Sequence, residues 1–501
     1  ALSAKVEKAN RLTTGSSGWV ALGTALLALA AGCGGGGMGS TGSGGGPVAG
    51  ESTTVTVVVS SAANDQLSRF GMMLNTLTLT NKAGKTVSVL PAAQQVEFMH
   101  LNGSPEPLMT ASVPQDVYTT ATVGGASFTC LVQNQGSDTT ATYAYGATPN
   151  AQVTVQMPAP VTVEGETMAL SLELLVSQSA TVPSTCAVNG VAQYTITPTF
   201  HLSVMPVAAA PTNSSNGPLT ALEGLVGTTG ASGNGFTVIP PDGTNAGTTN
   251  NWTWQVSTNS STVFEGVGNA AGLTAGMPVD MDGVLEADGS VLATRVAVSD
   301  ADTTNLTVNT GSLMFVGATV PDLFEGNRLA EGSQMYVNGW GAYDFSSATF
   351  ATWGGLTNVA TLPFGASFHA GNMVDGQMVS LTTHVTSVAS GSGGYVPASV
   401  MTLMPQTIDG TVGAVTTAGN FTEYTVTLAP YDAFPQFAVQ GGQTTLLTNP
   451  QQVVVYTDAN TQMLNAAAAG VGTVLRFTGV VFNDGGTLRM DCVQVLDGVA
   501  L

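Results

Sequence analysis

Alternation of hydrophobic and polar residues runs through much of the chain and predicts β-strands. The clearest case is segment 194–204, in which every second residue is apolar. The apolar face of this segment consists of Tyr194, Ile196, Pro198, Phe200, Leu202 and Val204. Segments 168–174 and 153–157 repeat the two-residue period. A period of two places neighbouring side chains on opposite faces of a strand, so these segments predict half-buried strands.

A hairpin is predicted around residues 81–85. Leu77 and Leu79 precede the sequence Asn-Lys-Ala-Gly-Lys, and Val87 and Val89 follow it. Two alternating apolar segments separated by a short turn that contains Gly are typical of a β-hairpin. Region 52–207 contains many short segments of this kind and no long helical period, so it predicts a β-sandwich.

A spaced pattern of Gly and Asp occurs twice in the C-terminal half. Residues 276–289 read GMPVDMDGVLEADG, and residues 472–485 read GTVLRFTGVVFNDG. Each copy continues into an alternating strand that ends near residue 298 or 495. A short segment upstream of each copy, 222–226 or 408–412, combines apolar residues with one acidic residue and a Gly, and it is called the opener here. The dipeptide Asp-Gly supplies the positive φ of a tight hairpin. Each copy therefore predicts a strand, a hairpin and a returning strand.

The middle of the C-terminal half carries a weaker version of the pattern. Gly332, Gly339 and Asp344 repeat half of the spacing, and Gly376 begins a further copy that ends near Leu403. The chain is therefore predicted to be all-β, with three small barrels after the sandwich, or four if the middle unit is doubled. The predicted units are a sandwich (52–207), a linker rich in Pro, Ser and Asn (208–218), and barrels at 219–300, 301–405 and 406–501. We expect each unit to have its own hydrophobic core.

The first 32 residues predict a signal peptide. Lys5, Lys8 and Arg11 precede an uncharged apolar run over residues 19–31, which ends in small residues just before Cys33. A basic segment, a short apolar segment and a small-residue cleavage site are typical of a secretory signal. The apolar run is shorter than the roughly 20 residues that a membrane-spanning helix needs.

The position of Cys33 resembles the lipobox of bacterial lipoproteins, in which the Cys thiol is acylated and the Cys becomes the new N-terminus. The usual Leu three residues before that Cys is Ala30 here, and Leu29 lies one residue further out. An ordinary secretory signal with an incidental Cys33 is the alternative. Residues 33–51 then form the lipidated Cys and a tether of Gly and Ser with a reach of roughly 20–25 Å. Since Gly34 is not the Asp that marks inner-membrane retention, the resemblance implies the outer membrane or the cell surface, with the periplasmic face as an alternative.

Two family resemblances follow from these motifs. The opening strand 53–60, the hairpin 77–89, the segments 96–98 and 113–118 and the strand ending at Val204 resemble the bacterial lipoprotein domain family numbered 4382 among domains of unknown function. That family usually has Gly before the strand that contains Tyr118, where Asp116 and Val117 stand here. The Gly and Asp-Gly repeats over 219–498 resemble the family numbered 5666, which looks like a five- or six-stranded barrel of the OB type. Both resemblances imply a fold and bring no functional residues.

Composition narrows the classes of partner. The chain has 31 acidic and 10 basic residues and a net charge of −21. Nucleic acids are bound largely through cations that displace phosphate counterions, so a nucleic-acid partner is excluded. The same charge argues against basic patches on an anionic membrane, which leaves the lipid as the membrane attachment. Cys130 and Cys186 lie in one exported domain and predict a disulfide, whereas Cys492 is expected to be a small buried side chain.

No metal, cofactor or catalytic site is predicted. Four acidic residues near the first repeat invite a calcium interpretation: Asp280, Asp282, Glu286 and Asp288. An EF-hand loop needs Gly at its sixth position, whereas Gly283 is fourth, so these residues indicate solvated turns, with a low-affinity calcium site as the alternative. No two of the four His residues are two or four positions apart, and the sequence contains no His-Glu-x-x-His motif. The folded region has no Gly-x-Ser-x-Gly motif. We therefore expect a protein that is not an enzyme.

Aromatic residues give the only hint of ligand binding. Trp252 and Trp254 share one face of a strand, and Trp340, Tyr343 and Trp353 gather in the middle unit. Such side chains either fill a core or stack on sugar rings and protein partners. The sequence favours a lipid-anchored structural or interaction module with an envelope protein as partner. The alternative is a surface module that binds a glycan or another small ligand, and an enzyme of unknown class comes third.

Overall fold

The computed structural model describes most of the chain after residue 45. The described residues are 46–62, 67–102, 104–132, 142–146, 151–179, 198–205, 215–230, 234–240, 253–314, 322–330, 333–335, 339–356, 358–384, 395–439, 447–464 and 469–496. Residues from Gly44 onward form one compact unit. None of the helices among the described residues is long and apolar enough to cross a bilayer.

The N-terminal part is a sandwich of two sheets. Its strands are β1 (Ser52–Ala62), β2 (Leu67–Asn81), β3 (Thr86–Ser88), β4 (Gln94–Glu97), β5 (Glu106–Pro114), β6 (Asp116–Val132), β7 (Thr142–Gly146), β8 (Ala151–Val155), β9 (Val161–Val163), β10 (Thr167–Leu175) and β11 (Phe200–Val204). It also contains a 3-10 helix, Met99–Leu101, and a short α-helix, α1 (Val176–Ser179). One sheet has the order β11-β10-β1-β5 with β1 and β10 parallel. The other sheet is built on β2 and β6, with β3 and β4 pairing with β2, and β7, β8 and β9 pairing with β6.

The sandwich core lies between the two sheets, as the alternating pattern requires. Val57 and Leu170 reach it from one sheet, and Leu79 from the other. Across the core, the rings of Phe98 and Phe200 meet edge to face with centroids 5.9 Å apart. The predicted hairpin is present, because β2 and β3 pair on either side of residues 82–85.

The first barrel is closed by five strands. Its elements are β12 (Ser215–Thr229), β13 (Gly235–Ile239), β14 (Trp254–Ser257), β15 (Val263–Glu265), a 3-10 helix (Ala270–Gly272), β16 (Pro278–Glu286) and β17 (Val291–Ala297). The order β14-β13-β12-β16-β17 closes because β14 pairs with β17 in parallel, and β15 adds a short strand to β17. β12 begins at Ser215, inside the stretch that the sequence assigned to a linker.

The second and third barrels follow the same path. The second contains β18 (Leu306–Met314), β19 (Asp322–Ala330), β20 (Ser333–Met335), β21 (Gly339–Asp344), β22 (Thr349–Thr352), a 3-10 helix (Val359–Thr361), β23 (Met378–His384) and β24 (Val396–Leu403). The third contains β25 (Pro405–Ala418), β26 (Phe421–Leu428), α2 (Ala433–Val439), β27 (Gln452–Thr457), β28 (Gln462–Leu464), β29 (Val474–Asp484) and β30 (Thr487–Leu496). The parallel pairs β21–β24 and β27–β30 close them. The described residues between 306 and 403 thus form one barrel rather than two.

In every barrel a glycine with positive φ lies two residues before the fourth main strand (β16, β23 or β29), called the hairpin strand here. The three glycines are Gly276 (φ 85°), Gly376 (φ 94°) and Gly472 (φ 85°). The first strand of each barrel (β12, β18 or β25) is called the opening strand here. Each glycine donates its N–H to a carbonyl oxygen of that strand, at 2.7–2.8 Å, and the three acceptors are Val226, Leu313 and Val412. A side chain disfavours this backbone region, so Gly is required at the point where the chain joins the opening strand. The all-β prediction of a sandwich with repeated barrels is confirmed, and the middle copy shares the local geometry of the other two.

Each unit has its own hydrophobic cluster, and two of these clusters also include residues of a neighbouring unit. One hydrophobic cluster combines Val58 and Ala169 of the sandwich with the core of the first barrel. Another combines Val480 and Phe482 of the third barrel with the core of the second. β1 and β29 each present consecutive buried residues on both faces, so one face serves its own unit and the other face serves a neighbour. The units are therefore packed into one body.

Candidate functional site

Polar residues occupy one equivalent position in all three barrels, on the pair formed by the opening strand and the hairpin strand. The cross-strand pairs are Glu223 with Asp280, Thr310 with Ser380, and Asp409 with Arg476. The residues that follow Asp280, Ser380 and Arg476 lie in the barrel cores, so these three side chains face outward. The fold places each pair where its barrel meets another unit. The repeated strand pair therefore places polar side chains at the contacts between neighbouring units.

In the third barrel this position is a buried ion-pair network. Arg476 donates from Nε and Nη2 to the two carboxylate oxygens of Asp409, at 2.7 and 3.0 Å. The Arg476 Nη1 atom pairs with Glu173 on β10 of the sandwich, and the Tyr431 hydroxyl donates to Asp409 Oδ2 at 3.0 Å. Burial raises the pKa of Asp409 to about 7 and lowers that of Arg476 to about 10. The network joins the third barrel to the sandwich.

A cavity of about 490 Å³, called the central cavity here, opens beside this network. It lies where the sandwich meets the first and third barrels, and Arg476 and Glu173 form one part of its wall. Most of the remaining wall is apolar, and these side chains include Val58, Leu202, Met205, Pro218 and Leu464. Its volume falls within the range of about 300–1,000 Å³ that is usual for small-ligand pockets.

His201 is the titratable side chain of the central cavity that has no ion-pair partner among the described residues. It lies opposite Glu173 in the register of β10 and β11. Burial lowers the pKa of His201, which keeps its imidazole neutral at pH 7. A neutral imidazole offers one donor and one acceptor. The cavity therefore suits a mainly apolar ligand with a few polar groups.

A second buried cluster lies inside the sandwich and stabilises a turn. His100 Nδ1 lies 3.1 Å from Glu97 Oε2, and His100 Nε2 lies 3.2 Å from Glu106 Oε1. Glu97 also accepts the backbone N–H of Phe70 at 2.7 Å. The three polar side chains are at most 5% exposed, so the cluster satisfies its own hydrogen bonds and offers no accessible site.

Of the aromatic residues that the sequence grouped, Tyr343 and Trp353 share one hydrophobic cluster in the second barrel, and Trp254 belongs to the cluster of the first barrel. Trp254 is buried and donates its indole N–H to the carbonyl of Pro107 in the sandwich at 3.1 Å. Tyr343 is buried and stacks on Phe345. Trp353 is buried where the first and second barrels meet. The described members of the set therefore form contacts inside the body rather than an exposed binding face. Trp252 lies outside the described residues, and only the backbone of Trp340 is described.

The structure describes only some of the cysteine and acidic residues that the sequence singled out. Cys33 and Cys186 lie outside the described residues, and only the backbone of Cys130 is described, so the lipid and disulfide predictions stay open. Cys492 is a free buried thiol whose pKa is raised by burial. Within the described ranges no three His, Cys, Asp or Glu side chains are grouped so that they could hold a metal ion.

The residues of the central cavity were not predicted from the sequence. Arg476 occupies the repeat position where the first copy has Asp280, and basic residues are scarce in this chain. That substitution, together with the acidic residue in each opener, was a usable signal for the network. Glu173 and His201 gave no signal, because their strands meet the barrels only in the tertiary structure.

The comparisons concern mainly the first barrel. A family model described as Domain of unknown function (DUF5666) matches residues 223–297. This range runs from the opener in β12 to the end of β17. The comparison with curated proteins gives no match. Because the second and third barrels share the strand path of the matched segment, the similarity describes one repeat of the architecture.

Proposed function

We propose that the protein is an exported, lipid-anchored, non-enzymatic protein of the cell envelope that acts as a rigid structural or interaction module. The observation that carries the proposal is the packing of all four units into one body. Two shared hydrophobic clusters and the pair between Arg476 and Glu173 join units that a flexible string of domains would leave apart. Such a body suits a role in presenting a partner-binding surface of fixed geometry close to a membrane.

The anchor and the location rest on the sequence around Cys33. Acylation of Cys33 with several chains would exceed the marginal affinity of a single chain, which gains about 0.8 kcal/mol per buried methylene group. The Gly- and Ser-rich segment that follows would place the body beside the outer membrane or the cell surface. The partner would be an envelope protein, since the charge of −21 opposes binding to nucleic acid.

Detergent phase partitioning of Cys33→Ser tests the anchor. We expect wild-type protein in the detergent phase and the variant in the aqueous phase. Cys492→Ser is the matched control, because that thiol is buried in the third barrel and should not affect partitioning. A Cys33→Ser protein that remains in the detergent phase would contradict the anchor. Cross-linking of anchored protein in membranes, followed by identification of its neighbours, tests the interaction role.

Small-ligand binding is a second candidate, favoured by the volume and wall of the central cavity. The Ser203→Phe substitution would fill part of this cavity, since Ser203 lines it. Ser347→Phe is the control, because Ser347 is exposed on a turn of the second barrel. Glycan arrays and binding of an apolar fluorescent dye are the assays. Signals that Ser203→Phe abolishes and Ser347→Phe preserves would support this candidate, and equal signals for both variants would remove it.

A further inference from the structure

A second cavity, of about 200 Å³, lies between the first and second barrels and is called the junction cavity here. The first barrel contributes strands β15, β16 and β17 and the acidic residue of its opener. The second contributes Trp353 and hydroxyl side chains of β22, β23 and β24. The Thr310 hydroxyl of the second barrel donates to Glu223 Oε1 of the first barrel at 2.8 Å, so a hydrogen bond joins the two barrels beside the cavity.

The wall of the junction cavity carries more negative than positive charge. Glu223, Glu265 and Asp280 line it, and Arg295 is the basic residue among its described lining side chains. Arg295 is already engaged, since it pairs with Asp280 and Glu265 and donates from Nε to Asp282 at 2.6 Å. Its guanidinium also lies over the Trp353 ring, 5.4 Å from the centroid. The remaining charge favours a cation, because attraction between charges is stronger away from bulk water.

Two buried polar atoms at this cavity have no hydrogen-bond partner among the described residues. They are Asp280 Oδ1, an acceptor, and Trp353 Nε1, a donor. Trp353 is only 4% exposed. A buried donor or acceptor without a partner costs about 1–3 kcal/mol, so a ligand that hydrogen-bonds to these atoms would remove a cost that the described residues leave uncompensated. A single ligand that satisfied both atoms would have to offer a donor to Asp280 and an acceptor to Trp353.

The size and arrangement of the wall point to an organic molecule. In the described part of the chain, these carboxylates are not grouped closely enough to share a metal ion. A cavity of about 200 Å³ has the volume of roughly six or seven water molecules at about 30 Å³ each. The volume therefore admits an organic molecule of a few heavy atoms, in a cavity lined by both Asp280 and Trp353.

We propose that the junction cavity binds a small organic ammonium compound that also carries a hydroxyl group. The ammonium donates to Asp280 Oδ1, and the hydroxyl oxygen accepts the indole N–H of Trp353. Arg295 holds the other oxygen of Asp280 and covers one face of the indole ring, so both ligand contacts are held in place. This site is independent of the lipid anchor and of the central cavity.

Ionisation of Asp280 gives the site a pH dependence. Burial raises the pKa of Asp280 to about 7, with Arg295 acting in the opposite direction and Asp282 and Glu223 adding to the rise. Glu265, from β15, also faces the cavity. An ammonium group needs the ionised carboxylate, so we expect tighter binding at pH 8 than at pH 6, with release of a proton at the lower pH.

Isothermal titration of the full protein with three five-atom probes tests the proposal. Aminopropanol has both groups, butylamine lacks the hydroxyl and propanediol lacks the ammonium. We expect aminopropanol to bind most tightly. Asp280→Asn should weaken it by about tenfold or more, as expected for a lost charged hydrogen bond. Trp353→Phe should reduce its affinity toward that of butylamine while leaving butylamine unchanged.

Glu286→Gln is the control variant, since Glu286 lies at the far end of the same strand and outside the cavity, and it should bind like the wild type. Absence of saturable aminopropanol binding to the folded wild type would overturn the proposal and indicate that water fills the cavity. Equal affinities for aminopropanol and propanediol would also overturn it. The comparison of probes uses the wild type alone, so it remains decisive even if a variant fails to fold.

Discussion

The Gly410→Ala substitution tests how closely neighbouring strands of the third barrel approach each other, because it adds one methyl group between them. A Cβ added at Gly410 would lie 2.5 Å from the carbonyl oxygen of Thr427 and 2.5 Å from Cγ1 of Val426. Gly224 holds the equivalent place in the first barrel, where a Cβ would lie 2.6 Å from the carbonyl oxygen of Ile239. The opposing atom is backbone in both cases, so a side-chain rotation cannot relieve the contact.

The expected magnitude follows from these distances. Real Cβ contacts are rarely closer than about 3.0–3.4 Å, so strands β25 and β26 must separate by about 0.5–0.9 Å at this point. The adjacent backbone hydrogen bond from Ala429 to Asp409, now 2.8 Å, would exceed hydrogen-bonding distance. Loss of one backbone bond costs about 1 kcal/mol, and overpacking costs about 1–3 kcal/mol. Gly410→Ala should therefore lower the free energy of unfolding by about 2–4 kcal/mol.

Gly413 provides the control, three residues further along the same strand. A Cβ there would meet only the Thr425 carbonyl oxygen at 3.5 Å, an ordinary contact. Gly413→Ala should change stability little or raise it by about 0.4–1 kcal/mol through the unfolded chain. Urea unfolding followed by circular dichroism measures both variants. Equal stability of Gly410→Ala and the wild type, or an equal loss in both variants, would refute the close approach of these strands.

Three further predictions concern ionisable and cysteine residues. Arg476→Gln should destabilise the protein by about 3–5 kcal/mol in urea unfolding, since it leaves buried carboxylates without their cation; a loss below 1 kcal/mol would contradict the network. The Thr304 carbonyl, which accepts a hydrogen bond from His384 Nδ1, and then Asp300 raise the pKa of His384 above 6.5. The stability that His384 contributes to the folded protein is therefore complete below pH 6.5 and is lost as the pH rises through the folded pKa. The stability difference between wild type and His384→Asn should therefore be larger at pH 5 than at pH 9, and a difference that does not vary with pH would be inconsistent with this. Peptide mapping without reduction should recover Cys130 linked to Cys186, a bridge expected to contribute about 4 kcal/mol in the chain-entropy model, whereas alkylation of both thiols in exported protein would exclude it.

The sequence by itself determined the class of fold and the local form of the repeats. Two-residue alternation fixes which side chains share a strand face, and Asp-Gly marks a hairpin, because both properties depend only on neighbouring residues. The Gly276 and Gly472 motifs were therefore readable, and Gly376 marked the middle copy although the rest of its pattern had diverged. The same local information left open whether the middle unit was one barrel or two, since barrel closure depends on the pairing of β21 with β24.

Only the tertiary structure decided which units share a core and where the sites lie. Val57, Val58 and Val59 are consecutive and apolar, which indicates burial on both faces of β1. The sequence cannot name the neighbour that covers Val58, because that contact joins residues far apart in the chain. The same reason applies to the ion pair of Arg476 with Glu173 and to Trp353 beside Arg295. The charge and hydrophobicity of a side chain determine how much free energy it gains from a suitable contact, whereas the packing of whole units determines which residue it contacts.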